Sequence, residues 1–276
     1  MKVCFVCWRL GVGSAEVRGR QIAERLGGDV VSLGEFSADV AAGYDVVVYV
    51  KKLPKPAVME AVRRRGIRQV ADPVDNYDWG HLRRRREWID AFIGSNLTHA
   101  VHLECLTGRP AHAIPHHHCN REGHRIPAGR TPPTLGFVGG RDYLPTNRRL
   151  VRRTRHAAVF DTAFRELDRT YLGLDIGFAW RDEPEKNSFN SALKLVNFMS
   201  YGIPSVLTPE TGYLEVARHG ESCLFAQTKG EFVMLLDHLA EDAELRRRMG
   251  EAAYEAARAY HIDRVVEHYR TFLNEL

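Results

Sequence analysis

Short strands that are apolar on both faces, each followed by a helical stretch, run through almost all of this 276-residue chain. KVCFVCW, DVVVYVK, RQVADPV, AFIGS and AHAIPHH alternate with helical segments at 18–26, 54–65 and 81–88 and with a further helix after AFIGS. Strands buried on both faces belong to a parallel sheet covered by helices, so this half reads as one doubly wound unit. The run CNREGHRIPAGRTPP (119–133) is polar, rich in Gly and Pro and without apolar periodicity, and reads as a linker. Alternation then restarts with TLGFVGG, AAVF, LDIGFAW, PSVLT and SCLF. The expected fold is therefore α/β with two doubly wound domains, 1–126 and 127–259. Two such units joined by a linker predict a ligand cleft at the carboxyl ends of their strands.

Composition narrows the class. Apolar residues make up 44% and charged residues 27%, which suits a globular protein rather than a disordered or disulfide-stapled one. No apolar run approaches the ~18 residues of a membrane span, and MKVCFVCWRL is too short-cored for a secretory signal, so a cytoplasmic enzyme is expected. The five cysteines are scattered. Cys4 and Cys7 form a CxxC inside the first strand with no second pair to complete a zinc site. His116, His117 and His118 are consecutive on an extended segment, so they cannot all converge on a metal.

Of 39 basic residues 32 are Arg, and residues 51–86 carry 11 basic against 4 acidic side chains. Such patches suit phosphate-bearing ligands, an anionic surface or nucleic acid, or they are solvated helix faces. Nucleic acid is not expected, because little aromatic surface is interleaved to stack bases.

In the second half, SALKLVNFMSYGIPSVLT is followed by ETGYLEVARHGESCLF and then AYHIDRVVEHYRTFL. Lys194, Met199, Gly202, Pro204, Gly212, Glu215 and Gly220 stand in an order and spacing that resembles the donor-binding domain of GT-B glycosyltransferases, in particular the retaining family 4 branch. Gly202 is expected to end a helix in the left-handed conformation and Pro204 to lead into the next strand. Lys194 lies near the start of its helix, where the macrodipole disfavours a cation unless an anion shares the place. The sequence departs from the family at Phe189 and Asn197, where members commonly carry two Glu residues. Asn197 retains the capacity to hydrogen-bond a ribose; Phe189 cannot act as a carboxylate, which leaves the donor sugar open.

The resemblance implies a metal-independent, retaining transfer of a sugar from a nucleoside diphosphate sugar to an acceptor hydroxyl. It implies Gly139, Gly140, Arg141 and Lys194 at the donor diphosphate and Asn197, Gly212 and Glu215 at the ribose or sugar. No cofactor is expected beyond the nucleotide sugar as co-substrate. The acceptor is a saccharide, a lipid-linked molecule or a secondary metabolite, with peripheral membrane contact through the basic surface as one option. In the first domain, GVGSAEVRGR resembles the Gly-rich loop of these enzymes, which would place Gly11, Gly13 and Arg18 on the acceptor side; the two glycines serve equally as a tight turn. Asp72 and Asp75 are the catalytic candidates in VADPVDNYDW, a loop whose acids also suit turns and helix caps. A nucleotide-sugar epimerase or hydrolase on the same fold, or a non-catalytic sugar-nucleotide-binding or basic nucleic-acid-binding protein, is the alternative. Finally, Ile262, Val265, Val266, Tyr269 and Phe272 recur at helical spacing, so residues 260–276 are expected to pack on the first domain.

Overall fold

The computed structural model describes every residue except Val12, Asn76 and 126–129. The chain forms two compact units. Unit 1 comprises Met1–His116, Phe189–Ser191 and Ile262–Leu276; unit 2 comprises His117–Ser188 and Ala192–His261. The change of unit thus falls at 116/117. The 126/127 boundary drawn from the linker lies outside the described residues.

Unit 1 is built on β1 (Val3–Cys7), β2 (Asp29–Ser32), β3 (Val46–Val50), β4 (Arg68–Asp72), β5 (Ala91–Gly94) and β6 (Ala111–Ala113). They form one parallel sheet in the order β2-β1-β3-β4-β5-β6. The first strand is buried on both faces, as its unbroken apolar run requires. Cys4 and Cys7 are core residues of that strand, and burial pushes both thiols up to about 12, which removes thiolate chemistry at neutral pH. Among the described residues no three His, Cys, Asp or Glu side chains are grouped to hold a metal.

The last helix, Ile262–Asn274, belongs to unit 1. Ile262, Val265, Val266, Tyr269, Phe272 and Leu273 are buried in one core with Val3, Phe5, Val46 and Val48. The apolar stripe read from the sequence thus has its partner surface on the first sheet. At the preceding break a 3₁₀ turn, Arg258–Tyr260, ends the longer helix, and the Tyr260 carbonyl accepts from the His118 backbone at 3.0 Å.

Unit 2 carries β7 (Leu135–Val138), β8 (Ala158–Asp161), β9 (Ile176–Ala179), β10 (Ser205–Leu207) and β11 (Leu224–Phe225). All are parallel, in the order β11-β10-β9-β7-β8. The helix Leu193–Ser200 leads to β10 through Gly202, whose φ of +72° is the left-handed value expected for it. This order makes β7, β9 and β10 neighbours, so the residues just beyond their carboxyl ends share one edge. Among the described residues no helix is long and apolar enough to cross a membrane.

Candidate active site

The carboxyl edge of the second sheet gathers a cationic group around Gly139, which follows β7. Lys194 sits in the first turn of the helix Leu193–Ser200 and turns back over that glycine. Its Nζ lies 4.4 Å from the centroid of the Phe137 ring, and a Cβ on Gly139 would come within 2.3 Å of it. Only glycine allows the amine this close to the backbone. Among the described residues no hydrogen bond or salt bridge is made by Lys194. Burial, reinforced by Arg181, pulls its pKa down to about 7 against the opposing pull of Glu210.

Arg181 follows β9 and Glu210 follows β10. Arg181 Nη1 donates to Glu210 Oε2 at 2.8 Å, with the side chains only 13% and 3% exposed. The guanidinium carbon lies 4.6 Å from the centroid of the Tyr143 ring, a cation–π contact that fixes its other face. Glu210 Oε1 is buried with no hydrogen-bond partner among the described residues. Burial pushes this carboxyl up to about 7 despite the two cations, Arg181 and Lys194. Asn147 sets the strand end: its Oδ1 accepts from the Trp180 backbone at 2.7 Å and its Nδ2 donates to the Trp180 carbonyl at 2.9 Å. Arg181 and Glu210 were missed in the sequence. The signal that finds them is their place immediately beyond adjacent parallel strands, the edge where α/β sheets bind ligands.

The other donor-side residues separate. Gly140 and Arg141 are exposed, and Arg141 makes no salt bridge among the described residues. Gly212 is buried in the short helix Thr211–Leu214, and Glu215 lies exposed just after it. Asn197 corrects the expectation. Its side chain is buried and its Oδ1 accepts from the Cys119 backbone at 2.9 Å, so its carboxamide ties a main-chain segment instead of presenting itself to a ribose.

In unit 1 the Arg18 Nε donates to Asp72 Oδ2 at 2.7 Å, with the two side chains 1% and 0% exposed. Arg18 Nη1 also donates to the carbonyls of Ile114 at 2.7 Å and Pro115 at 3.1 Å, and the guanidinium lies over the Tyr269 ring. Burial, the largest single influence, would lower the Arg18 pKa, but the Asp72 charge, Tyr269 and the Asp72 hydrogen bond together outweigh it and the shift is upward. Neither side chain is available to a substrate, so the catalytic role for Asp72 and the acceptor role for Arg18 are both corrected. They form a core pair that ties β4, the end of β6 and the last helix together. Asp75 is exposed and pairs with Lys51 at 2.8 Å. Gly11 is exposed in a turn with φ of +74°, and Gly13 has open space where a Cβ would stand.

Phe189 belongs to unit 1. It packs against Tyr77, Trp79, His99 and His102 with ring centroids 4.6–5.9 Å away. Ser95 Oγ donates to its carbonyl at 2.6 Å, and Asn96 Nδ2 donates to the Asn190 carbonyl at 2.9 Å. The residue standing where the family commonly has a carboxylate is thus an aromatic anchor.

Residues 141–270 match the family described as Glycosyl transferase-like. The fold is that of the GT-B glycosyltransferases. Anabaena HepE in complex with UDP and glucose superposes with a TM-score of 0.74 at 13% identity, all of each chain being covered. Sucrose-phosphate synthase from Thermosynechococcus elongatus also gives 0.74, at 12% identity, over 99% of this chain and 98% of that one. The pneumococcal O-GlcNAc transferase GtfA, in complex with UDP and GlcNAc, gives 0.61 at 12% identity over 83% of this chain and 56% of that one. No curated protein matches the chain in sequence.

Proposed function

We propose that the chain is a glycosyltransferase that moves a sugar from a nucleoside diphosphate sugar to an acceptor hydroxyl, with retention and without a metal ion. The observation that carries this is Lys194, a desolvated amine with no salt bridge among the described residues, held over Gly139 beside Arg181. As the bond from sugar to diphosphate breaks, negative charge grows on the leaving oxygen, and two preorganised cations in a poorly hydrated place stabilise it. The backbone at Gly139 and Gly140, with exposed Arg141, completes the diphosphate contacts, and Gly212 and Glu215 serve the ribose or sugar. Uridine is the first base to try, since the HepE and GtfA structures hold UDP. On the acceptor side Gly11, Gly13 and Asp75 remain, Asp75 being the candidate acid that stays exposed.

The test is a thermal-shift panel of nucleoside diphosphates against oligonucleotides, followed by transfer assays in excess EDTA. Nucleoside diphosphates should raise Tm, oligonucleotides should not, and transfer should persist in EDTA. A tenfold loss of transfer restored by manganese overturns the metal-free mechanism. Release of the sugar to water alone would instead favour a hydrolase.

A further inference from the structure

Glu210 presents a puzzle at a site read as binding an anion. A carboxylate at the carboxyl edge of the sheet opposes a diphosphate, yet this one is 3% exposed and bonded to Arg181 at 2.8 Å. Its second oxygen, Oε1, is buried with no hydrogen-bond partner among the described residues. Asp72 Oδ1 in unit 1 is likewise unpartnered among the described residues, so what sets Glu210 apart is its neighbour and not the oxygen alone. That neighbour is Lys194, an amine that has no salt bridge among the described residues.

We propose that Glu210 is a resident counter-anion for Arg181 and Lys194, and that a donor diphosphate takes over both cations while the site takes up a proton. This deepens the donor reading given above and rests on it. Before binding, the cluster holds two basic groups and one acid. A diphosphate brought beside them stabilises the ammonium form of Lys194 and destabilises the carboxylate form of Glu210. Both changes draw a proton from solvent, one onto the Lys194 amine and one onto the Glu210 carboxylate. The groups that act on Glu210 are Arg181 beyond β9, Lys194 on the helix Leu193–Ser200 and Tyr213 on the helix Thr211–Leu214. Tyr143 lies against the far side of Arg181. Burial raises the Tyr213 phenol, which therefore stays protonated and does not contribute to the exchange. The physical gain is selectivity: an isolated cationic pocket attracts any small anion, whereas this one must exchange a built-in carboxylate and favours a ligand of higher charge.

The experiment is calorimetric titration with glucose diphosphate esters of uridine, guanosine and thymidine, using whichever binds tightest. Their diphosphate diesters carry no phosphate group that titrates near neutrality, so protons taken up belong to the protein. Measured at about pH 7 in Pipes, Hepes and Tris, the heat should vary with buffer ionisation enthalpy and report on the order of one proton per nucleotide, because both groups are half-titrated there. Affinity should fall as pH rises above that point. Glu210→Gln should lower the uptake by about half and bind more tightly than the parent above pH 8. Should that variant not fold, Lys194→Arg, which keeps the charge and removes one titrating group, should also lower the uptake by about half. Binding whose heat is the same in all three buffers overturns the proposal and leaves the donor reading intact. Failure of every donor to bind overturns both.

Discussion

Each unit buries one arginine–carboxylate pair at the carboxyl edge of its sheet, and the two pairs serve opposite ends. Arg18 and Asp72 are sealed at 1% and 0% exposure, and the guanidinium also donates to two backbone carbonyls. Arg181 and Glu210 are similarly close, and each pair leaves one buried carboxylate oxygen, Asp72 Oδ1 and Glu210 Oε1, without a hydrogen bond among the described residues, but Lys194 stands beside the second pair as an extra cation. Charge balance separates the two. A balanced, sealed pair holds elements together, while a pair with surplus positive charge attracts an anion.

The largest effect should come from breaking the balanced pair. Asp72→Ala leaves Arg18 buried without its counter-charge and should cost about 3–5 kcal/mol of stability, read as a lower urea midpoint. Replacing both residues, Arg18→Met with Asp72→Leu, should recover most of that loss and leave donor affinity unchanged. If the double replacement abolishes donor binding, the pair is functional after all and the contrast collapses.

A somewhat smaller and purely kinetic effect is expected at the other pair. Lys194→Ala should lower kcat/KM by about 2–4 kcal/mol, the usual scale for one preorganised electrostatic contact. Tm should hold or rise, since a desolvated cation is removed and Ala favours helix. Activity within twofold of the parent would return Lys194 to the role of an ordinary surface lysine.

The smallest effect concerns acid. His99 in unit 1 is buried, and its pKa is held down to about 3 by desolvation, with Arg18 and His102 adding to it. The unfolded chain therefore binds a proton that the folded chain refuses, and stability should fall as pH drops below the unfolded value of about 6.5. Between about pH 7 and 5 the parent should lose about 1–2 kcal/mol more than His99→Gln. In unit 2, Glu210 works in the other direction. Its folded pKa is about 7, above the unfolded value, so its contribution is present at low pH and fades as pH rises through 7. Equal acid sensitivity in the parent and His99→Gln would show that the imidazole is not the group responsible.

Much of this was legible in one dimension. Apolar runs such as Val46–Val50 leave a strand no option but burial on both faces, and their alternation with helices leads to parallel sheets. The spacing of Val265, Tyr269 and Phe272 made a stripe that needed a partner, and the first sheet supplies it. Gly202 announced a helix end because few other residues adopt positive φ readily. Lys194 was conspicuous as a cation placed against a helix dipole.

What escaped the sequence is which polar residues meet. Arg181 and Glu210 lie in separate loops, and nothing local marks either one; they pair only because β9 and β10 are neighbours in the sheet. Asp72 looked like an exposed loop acid until Arg18, from another element, and Tyr269, from the last helix, closed over it. Asn197 was similarly drawn inward by the backbone of Cys119. Periodicity and turn chemistry are properties of neighbouring residues, so the sequence alone determined strands, helices and the two-sheet architecture. The environment of a charge depends on whatever the fold brings within a few ångströms of it, so only the tertiary structure decided which acid is sealed in the core and which amine is desolvated without a salt bridge among the described residues.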